Sequence, residues 1–144
     1  MLHIFPALAE QIIVPPAVVD ELAVGRALGV SLPDVTLLDW VIVRRPASEL
    51  ALPLVTDMGP GETQVLMLAL ESRDAIAVLD DSLARQVAEM LGIRLTGTLG
   101  LLLDAKRAGL VPTVAPLLDQ LQALRFRLAP HTQAAVLRLA GEEP

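Results

Sequence analysis

The chain has 144 residues, 53 % of them hydrophobic and 19 % charged, which is enough apolar material for a packed domain and excludes disorder as the main state. It contains no Cys, so disulfides, zinc–thiolate centres and thiol catalysis are excluded. The formal net charge of −6 counts against tight non-specific binding of nucleic acid, which needs a basic surface, and fits a cluster of carboxylates that holds cations, or a basic partner.

In chain order, Leu2 to Ala9 reads as the tail of a helix and Gln11 to Val14 as a short strand that stops at Pro15-Pro16. A helix follows, with Pro16 in its first turn, through Val18, Val19 and Leu22 to about Arg26. Gly29 to Asp34 is a loop. Leu37 to Val43 is expected to be a strand containing Trp40, closed by Arg44-Arg45-Pro46, and Ser48 to Val55 reads as either a short helix or an extended link. Gly59-Pro60-Gly61-Glu62 opens an amphipathic helix whose apolar face carries Val65, Leu66, Leu68, Ala69 and Leu70. Ala75 to Leu79 has the length of a strand, and Asp80-Asp81-Ser82 ends it and starts a helix that Gly92 closes. Ile93 to Leu95 is another short strand. Thr96-Gly97-Thr98 turns into a helix from Leu99 to about Arg107, with Gly109 at its C-terminal side. Thr113 is expected to cap a helix over Val114 to Leu124, a last helix runs from about Thr132 to Leu139, and Glu142 to Pro144 is expected to fray.

Short strands alternating with helices imply an α/β fold, a three-layer α/β/α sandwich around a mostly parallel sheet. The length and the lack of a Gly-, Ser- or Pro-rich linker predict a single domain over 1–144. The apolar runs are too short to span a bilayer, and Met1 to Glu10 lacks the basic start and long apolar stretch of a signal peptide. A cytoplasmic address is therefore expected.

Ligands of open α/β sheets collect at the carboxyl ends of the parallel strands, so polar residues that end strands or open the following helices are the candidates for chemistry. Asp80 and Asp81 do both, Glu62 opens a helix, and Glu21 lies in the helix after the Gln11–Val14 strand. Carboxylates gathered without His or Cys suit Mg²⁺ or Mn²⁺, hard cations that take oxygen ligands. Such ions can serve phosphodiester cleavage. Each acid also has a plain structural reading. Asp81 or Ser82 can be a helix N-cap, Glu62 a first-turn acid that complements the helix dipole, and Glu21 an ordinary exposed helical residue. Asp20 and Asp57 read as surface or turn residues, and Thr96 and Thr98 as turn-and-cap residues. His3 and His131 sit near the two ends in surface helices and join no triad. Lys106-Arg107 fits helix C-terminal charge as well as RNA contact, and Arg85 is the basic residue nearest the acids.

The series Val14-Pro-Pro-Ala-Val-Val-Asp-Glu21-Leu22, Gly59-Pro-Gly-Glu62, Val78-Leu-Asp-Asp81 with Ala84-Arg85, Gly97-Thr-Leu-Gly100 with Ala105-Lys106, and Phe126-Arg-Leu resembles an uncharacterised prokaryotic branch of the PIN-domain superfamily. Each motif alone is weak, but they keep the family's order and spacing over nearly the whole chain. The resemblance implies a parallel sheet between helices and an acidic pocket that binds Mg²⁺ or Mn²⁺. It also implies cleavage of single-stranded RNA, in many relatives as the toxin of a toxin–antitoxin pair similar to the VapC group, restrained by an antitoxin protein. Carried over by position, Glu21, Glu62 and Asp81, with Asp80 adjacent, match the family's acids: Asp81, Glu62 and Asp80 as metal ligands, and Glu21 assisting.

One departure is expected to matter. The family begins with a central strand that ends in a metal-binding Asp, whereas Met1 falls inside what should be the following helix, so the domain reads as N-terminally truncated. Burial of an aliphatic side chain is worth about 1.5–3 kcal/mol, so loss of such a strand is comparable with the whole stability of a domain. The gap is expected to be met by a start further upstream, by a sheet that closes up or rearranges, or by another protomer, and of these a homodimer or higher oligomer that covers the apolar patch is the working expectation. The rival reading is a catalytically inactive PIN-like module retained for binding or regulation. A flavodoxin- or receiver-type domain is disfavoured, because the chain lacks a Gly-rich phosphate loop and an acidic pair after a first strand.

Overall fold

The structure, a computed structural model, describes residues 2–47, 58–72 and 74–142. The ambiguous Ser48–Val55 segment and Asp57 lie outside the described residues. The chain divides into two compact units, one formed by residues up to 8 together with those from 98 onward, the other by residues 9–97.

The strand-bearing unit contains β1 (Ile12–Val14), α2 (Pro16–Ala27), β2 (Val41–Val43), α3 (Pro60–Glu71), β3 (Ile76–Val78), α4 (Ser82–Met90) and β4 (Arg94–Thr96). Its strands are parallel, as the α/β reading requires, and they pair in twos: β1 with β2 in the register Ile12↔Val41, and β3 with β4 in the register Ile76↔Arg94. Parallel neighbours need a crossover, and α4 supplies it for β3 and β4. The core of this unit is Leu66, Met67, Ala77, Leu79, Ala84 and Ala88, all buried. It is built from small and aliphatic side chains, as the near-absence of aromatics dictates.

Helices α2 and α3 cap each other. Both start with Pro at the first helical position and lack a side-chain cap of their own. In each, the second residue's amide is met from the other helix. The Ala17 N–H donates to Gln64 Oε1 at 2.9 Å, and the Gly61 N–H donates to Glu21 Oε1 at 3.0 Å. Two orphan amides are satisfied at once, and the side chains of Glu21 and Gln64 are fixed in the process.

The helical unit contains α1 (Ile4–Leu8), α5 (Thr98–Arg107), α6 (Ala115–Ala123) and α7 (Pro130–Leu139). Its core is Ile4, Leu102, Ala105, Val111, Val114, Leu118, Leu121 and Val136, with Phe5 and Phe126 packed against it. Helix α7 ends in a Schellman turn, in which the Gly141 N–H bonds to the Arg138 carbonyl at 3.0 Å and the Glu142 N–H to the Leu137 carbonyl at 2.8 Å. The turn requires a left-handed residue, and Gly141 supplies it at φ 74. Helix α6 ends in the same way with Arg125 at φ 66, a conformation that costs a side-chain-bearing residue roughly 1–2 kcal/mol.

Four expectations are corrected. Trp40 does not lie within a strand. Asp34 accepts the Thr36 N–H at 3.1 Å, Val35–Leu37 becomes a short 3-10 turn, and the Val41 N–H bonds to the Leu38 carbonyl at 3.2 Å, so the strand is confined to Val41–Val43. Thr113 does not cap α6, whose N-cap is Val114 without a side-chain bond. Helix α7 starts at Pro130, because Pro is favoured at a first helical position. Glu142 is not frayed, since its carboxylate fills the place that Thr113 was expected to take, accepting from the Val114 N–H at 2.7 Å and the Ala115 N–H at 3.0 Å. Among the described residues, no helix is long and apolar enough to cross a membrane.

Candidate acidic site

Three loci of the strand-bearing unit each deliver acids. β3 ends where the Leu79 N–H bonds to the Thr96 carbonyl at 2.9 Å. Asp80 follows, and Asp81 becomes the N-cap of α4, its Oδ2 accepting the Ala84 N–H at 2.9 Å. The capping role read from the sequence is therefore real. It uses one oxygen of Asp81, and a carboxylate has a second. Glu62 lies in the first turn of α3. Glu21 comes from α2 and is held in place by the Gly61 amide.

All four acids line a single concavity of about 200 Å³, with Val18, Gly61, Val65, Val78 and Leu79 completing its wall. The lining contains no basic side chain. Glu62 is half-buried, and Glu21, Asp80 and Asp81 are exposed. Arg85 is directed to the backbone, its guanidinium donating to the Leu79 carbonyl at 2.8 Å. It thereby fastens the strand end from which Asp80 and Asp81 emerge.

Two glycines that stand against these side chains, Gly61 and Gly97, were passed over as site residues in the sequence reading. A Cβ on Gly61 would stand 2.6 and 2.8 Å from the two carboxylate oxygens of Glu21. A Cβ on Gly97 would stand 2.7 Å from Asp80 Oδ1, 3.0 Å from an Arg85 guanidinium nitrogen and 3.3 Å from the Leu79 carbonyl. Neither Gly has a positive φ, so each is there for space. The available signal was Gly61 lying inside a helix start, between Pro60 and Glu62, where glycine has no helix-forming merit.

The other candidates lie elsewhere or are engaged. Asp20 is exposed on α2 and borders a neighbouring, mostly apolar groove of about 330 Å³ with Ala17, Glu21, Val24 and Pro60. Thr96 serves β3 through its carbonyl. Lys106 pairs with Glu142 at 2.9 Å, and Arg107 with Asp104 at 3.3 Å. His3 and His131 are exposed.

The donor set fits Mg²⁺ or Mn²⁺ in kind, since it consists of carboxylates around one concavity with no competing cation in the wall. Among the described residues, no three acids or histidines gather on one point as an ion requires. Carboxylates sharing a wall repel one another, and Glu21 and Asp81 each commit an oxygen to a backbone amide. Rotation of Glu62 is one freedom by which a cation could draw the set together.

No curated protein and no solved structure matches the chain significantly. A family model described as a PIN domain matches residues 1–142. With that match over nearly its whole length, the chain belongs to the PIN-domain family.

Proposed function

We propose that this protein is a metal-dependent endoribonuclease of PIN type acting on single-stranded RNA, with Asp81, Glu62 and Asp80 holding Mg²⁺ or Mn²⁺ and Glu21 assisting. The observation that carries the reading is the convergence of four acids, from α2, α3 and the β3–α4 turn, on one concavity without a basic side chain. A bound divalent cation supplies Lewis acidity there, lowering the pKa of a water and offsetting charge on the leaving oxygen. The chain's own residues provide placement. Gly61 holds Glu21 against the start of α3, Ala84 holds Asp81 at the start of α4, and Arg85 ties down the strand end between them. Glu62, half-buried in the same wall, is the acid most sheltered from water.

The test is cleavage of a generic single-stranded RNA with Mn²⁺, with EDTA in its place, and with the Asp81→Asn variant beside it. Asn caps a helix about as well as Asp, so the variant keeps its fold and loses only the charge. Cleavage that needs the metal and disappears in the variant is the expected result. No cleavage, or cleavage that the variant retains, contradicts the proposal.

A finer proposal, resting only on the sequence motifs that resemble those of the VapC group, is a cytoplasmic toxin restrained by an antitoxin protein. Assembly as a homodimer or higher oligomer is supported by β3, where Ile76 and Val78 are 55 % and 43 % exposed although parallel strands are ordinarily covered on both faces. A monomeric mass in solution at micromolar concentration contradicts that assembly. One observation favours the second reading, an inactive PIN-like module acting by binding: no ready-made three-ligand group exists among the described residues.

A further inference from the structure

Glu142 follows Gly141 in the Schellman turn that ends α7, so the turn itself aims its side chain back over the helical unit. Its carboxylate is 11 % exposed. One oxygen accepts the Val114 N–H at 2.7 Å and the Lys106 ammonium at 2.9 Å; the other accepts the Ala115 N–H at 3.0 Å. Lys106 also donates to the Ala140 carbonyl, at the C-cap of α7. A single carboxylate therefore joins the last turn of α5, the first turn of α6 and the end of α7. Each contact depends on charge. The orphan amides of α6 have no other cap, the start of a helix attracts an anion, and the ammonium is half-buried beside it.

We propose that Glu142 is a charge-operated clasp, so that α7 is docked on the helical unit when its carboxylate is ionised and is released when it is neutral. The apolar contacts of α7 rest largely on Val136, its only buried residue, with Leu137 and Ala140 partly buried. That small contact leaves the charged contacts a large share in deciding whether the helix stays docked. The charged groups that face the clasp are Lys106 of α5 and the amide end of α6. On α5, Asp104 and Arg107 are occupied with each other, and in the last turn of α7 Arg138 has its own interaction.

The direction of the pH response follows from the surroundings of Glu142. Burial disfavours its ionised form, and the Val114 amide, the Lys106 ammonium and the Ala115 amide together outweigh that effect, holding its pKa below the ordinary glutamate value. A carboxylate whose pKa is lower in the folded state stabilises the fold above its unfolded pKa, and that contribution is lost as pH falls through the folded one. The clasp is therefore closed at neutral pH and opens in acid.

The experiment is amide hydrogen exchange on the full chain, comparing α7 with α3, for the natural protein, Glu142→Gln and Lys106→Met, at pH 7 and at successively lower pH until the depressed folded-state pKa of Glu142 has been passed. At pH 7 both variants are expected to exchange α7 amides at least about tenfold faster than the natural protein, with α3 unchanged. In acid, the natural protein is expected to converge on Glu142→Gln once intrinsic rates are corrected. Circular dichroism establishes that each variant is folded, and Lys106→Met serves as the independent arm if Glu142→Gln fails to fold. Equal α7 exchange in the natural protein and a folded variant at pH 7 overturns the proposal. So does a difference from Glu142→Gln that persists undiminished in acid.

Discussion

The two units use carboxylates in opposite ways. In the helical unit, Glu142 meets an ammonium and two amides, so its charge is spent on holding helices together. In the strand-bearing unit, Glu21, Glu62, Asp80 and Asp81 share a wall that contains no basic side chain. A carboxylate paired with an ammonium and amides is a device of stability, whereas carboxylates that share a wall repel one another, which is the ground for the proposed cation. Neutralising an acid should therefore impair stability in one unit and chemistry in the other.

The largest expected effect is on the acidic wall. Asp81→Asn should lower metal-dependent RNA cleavage by on the order of a hundredfold or more, by analogy with removal of a principal electrostatic group, and leave the melting temperature nearly unchanged because the cap persists. A loss of activity matched by unfolding would erase the contrast. In the helical unit the order reverses. Glu142→Ala leaves two amides without their acceptor and a half-buried ammonium with only the Ala140 carbonyl, at a cost of about 1.5–3 kcal/mol by the value of charge-assisted hydrogen bonds. Denaturant unfolding should show this while any cleavage activity per folded molecule stays the same.

Two smaller effects sharpen the comparison. Gly61→Ala sets a methyl group within 2.8 Å of both Glu21 oxygens and should displace that side chain. If Glu21 assists the chemistry, cleavage falls by about tenfold, in keeping with the sensitivity of catalysis to small misplacements. Unchanged cleavage would reduce Glu21 to a helix cap. Arg125→Gly relieves the left-handed residue at the end of α6 and should stabilise the protein by about 1 kcal/mol, without effect on the acidic wall. A destabilised variant in denaturant unfolding would contradict that reading of the turn.

The positions of the acids that line the concavity were legible because strand ends and helix starts announce themselves. An apolar run stopped by Asp80-Asp81, and Gly59-Pro60 followed by Glu62, carry their positions in the local pattern. The reason Glu21 stays beside them was not legible, because its partner is an amide 40 residues away. The reciprocal role of Gln64 escaped for the same reason. The ends of α4 and α5 were legible from Gly92 and Gly109. Glu142 was misread because a residue near the end of a sequence has no local pattern to oppose fraying. The Ala140-Gly141 turn that aims it back was a signal, but its target at the start of α6 is set by tertiary packing. Trp40 was misplaced because the side-chain bond from Asp34 to Thr36 redirects the backbone before a strand can form.

The central claim, that the four acids of the strand-bearing unit form one cation site, is tested most directly by titrating the full chain with Mn²⁺ and following the free ion by electron paramagnetic resonance. The Glu62→Gln/Asp81→Asn double variant is titrated beside it. The account predicts saturable binding by the natural protein at or below concentrations on the order of a millimolar, a range typical of weak carboxylate sites, and its loss in the double variant. An absence of binding at that concentration, or equal binding by the double variant, would contradict the account and leave a PIN-family scaffold that acts without a metal at this wall.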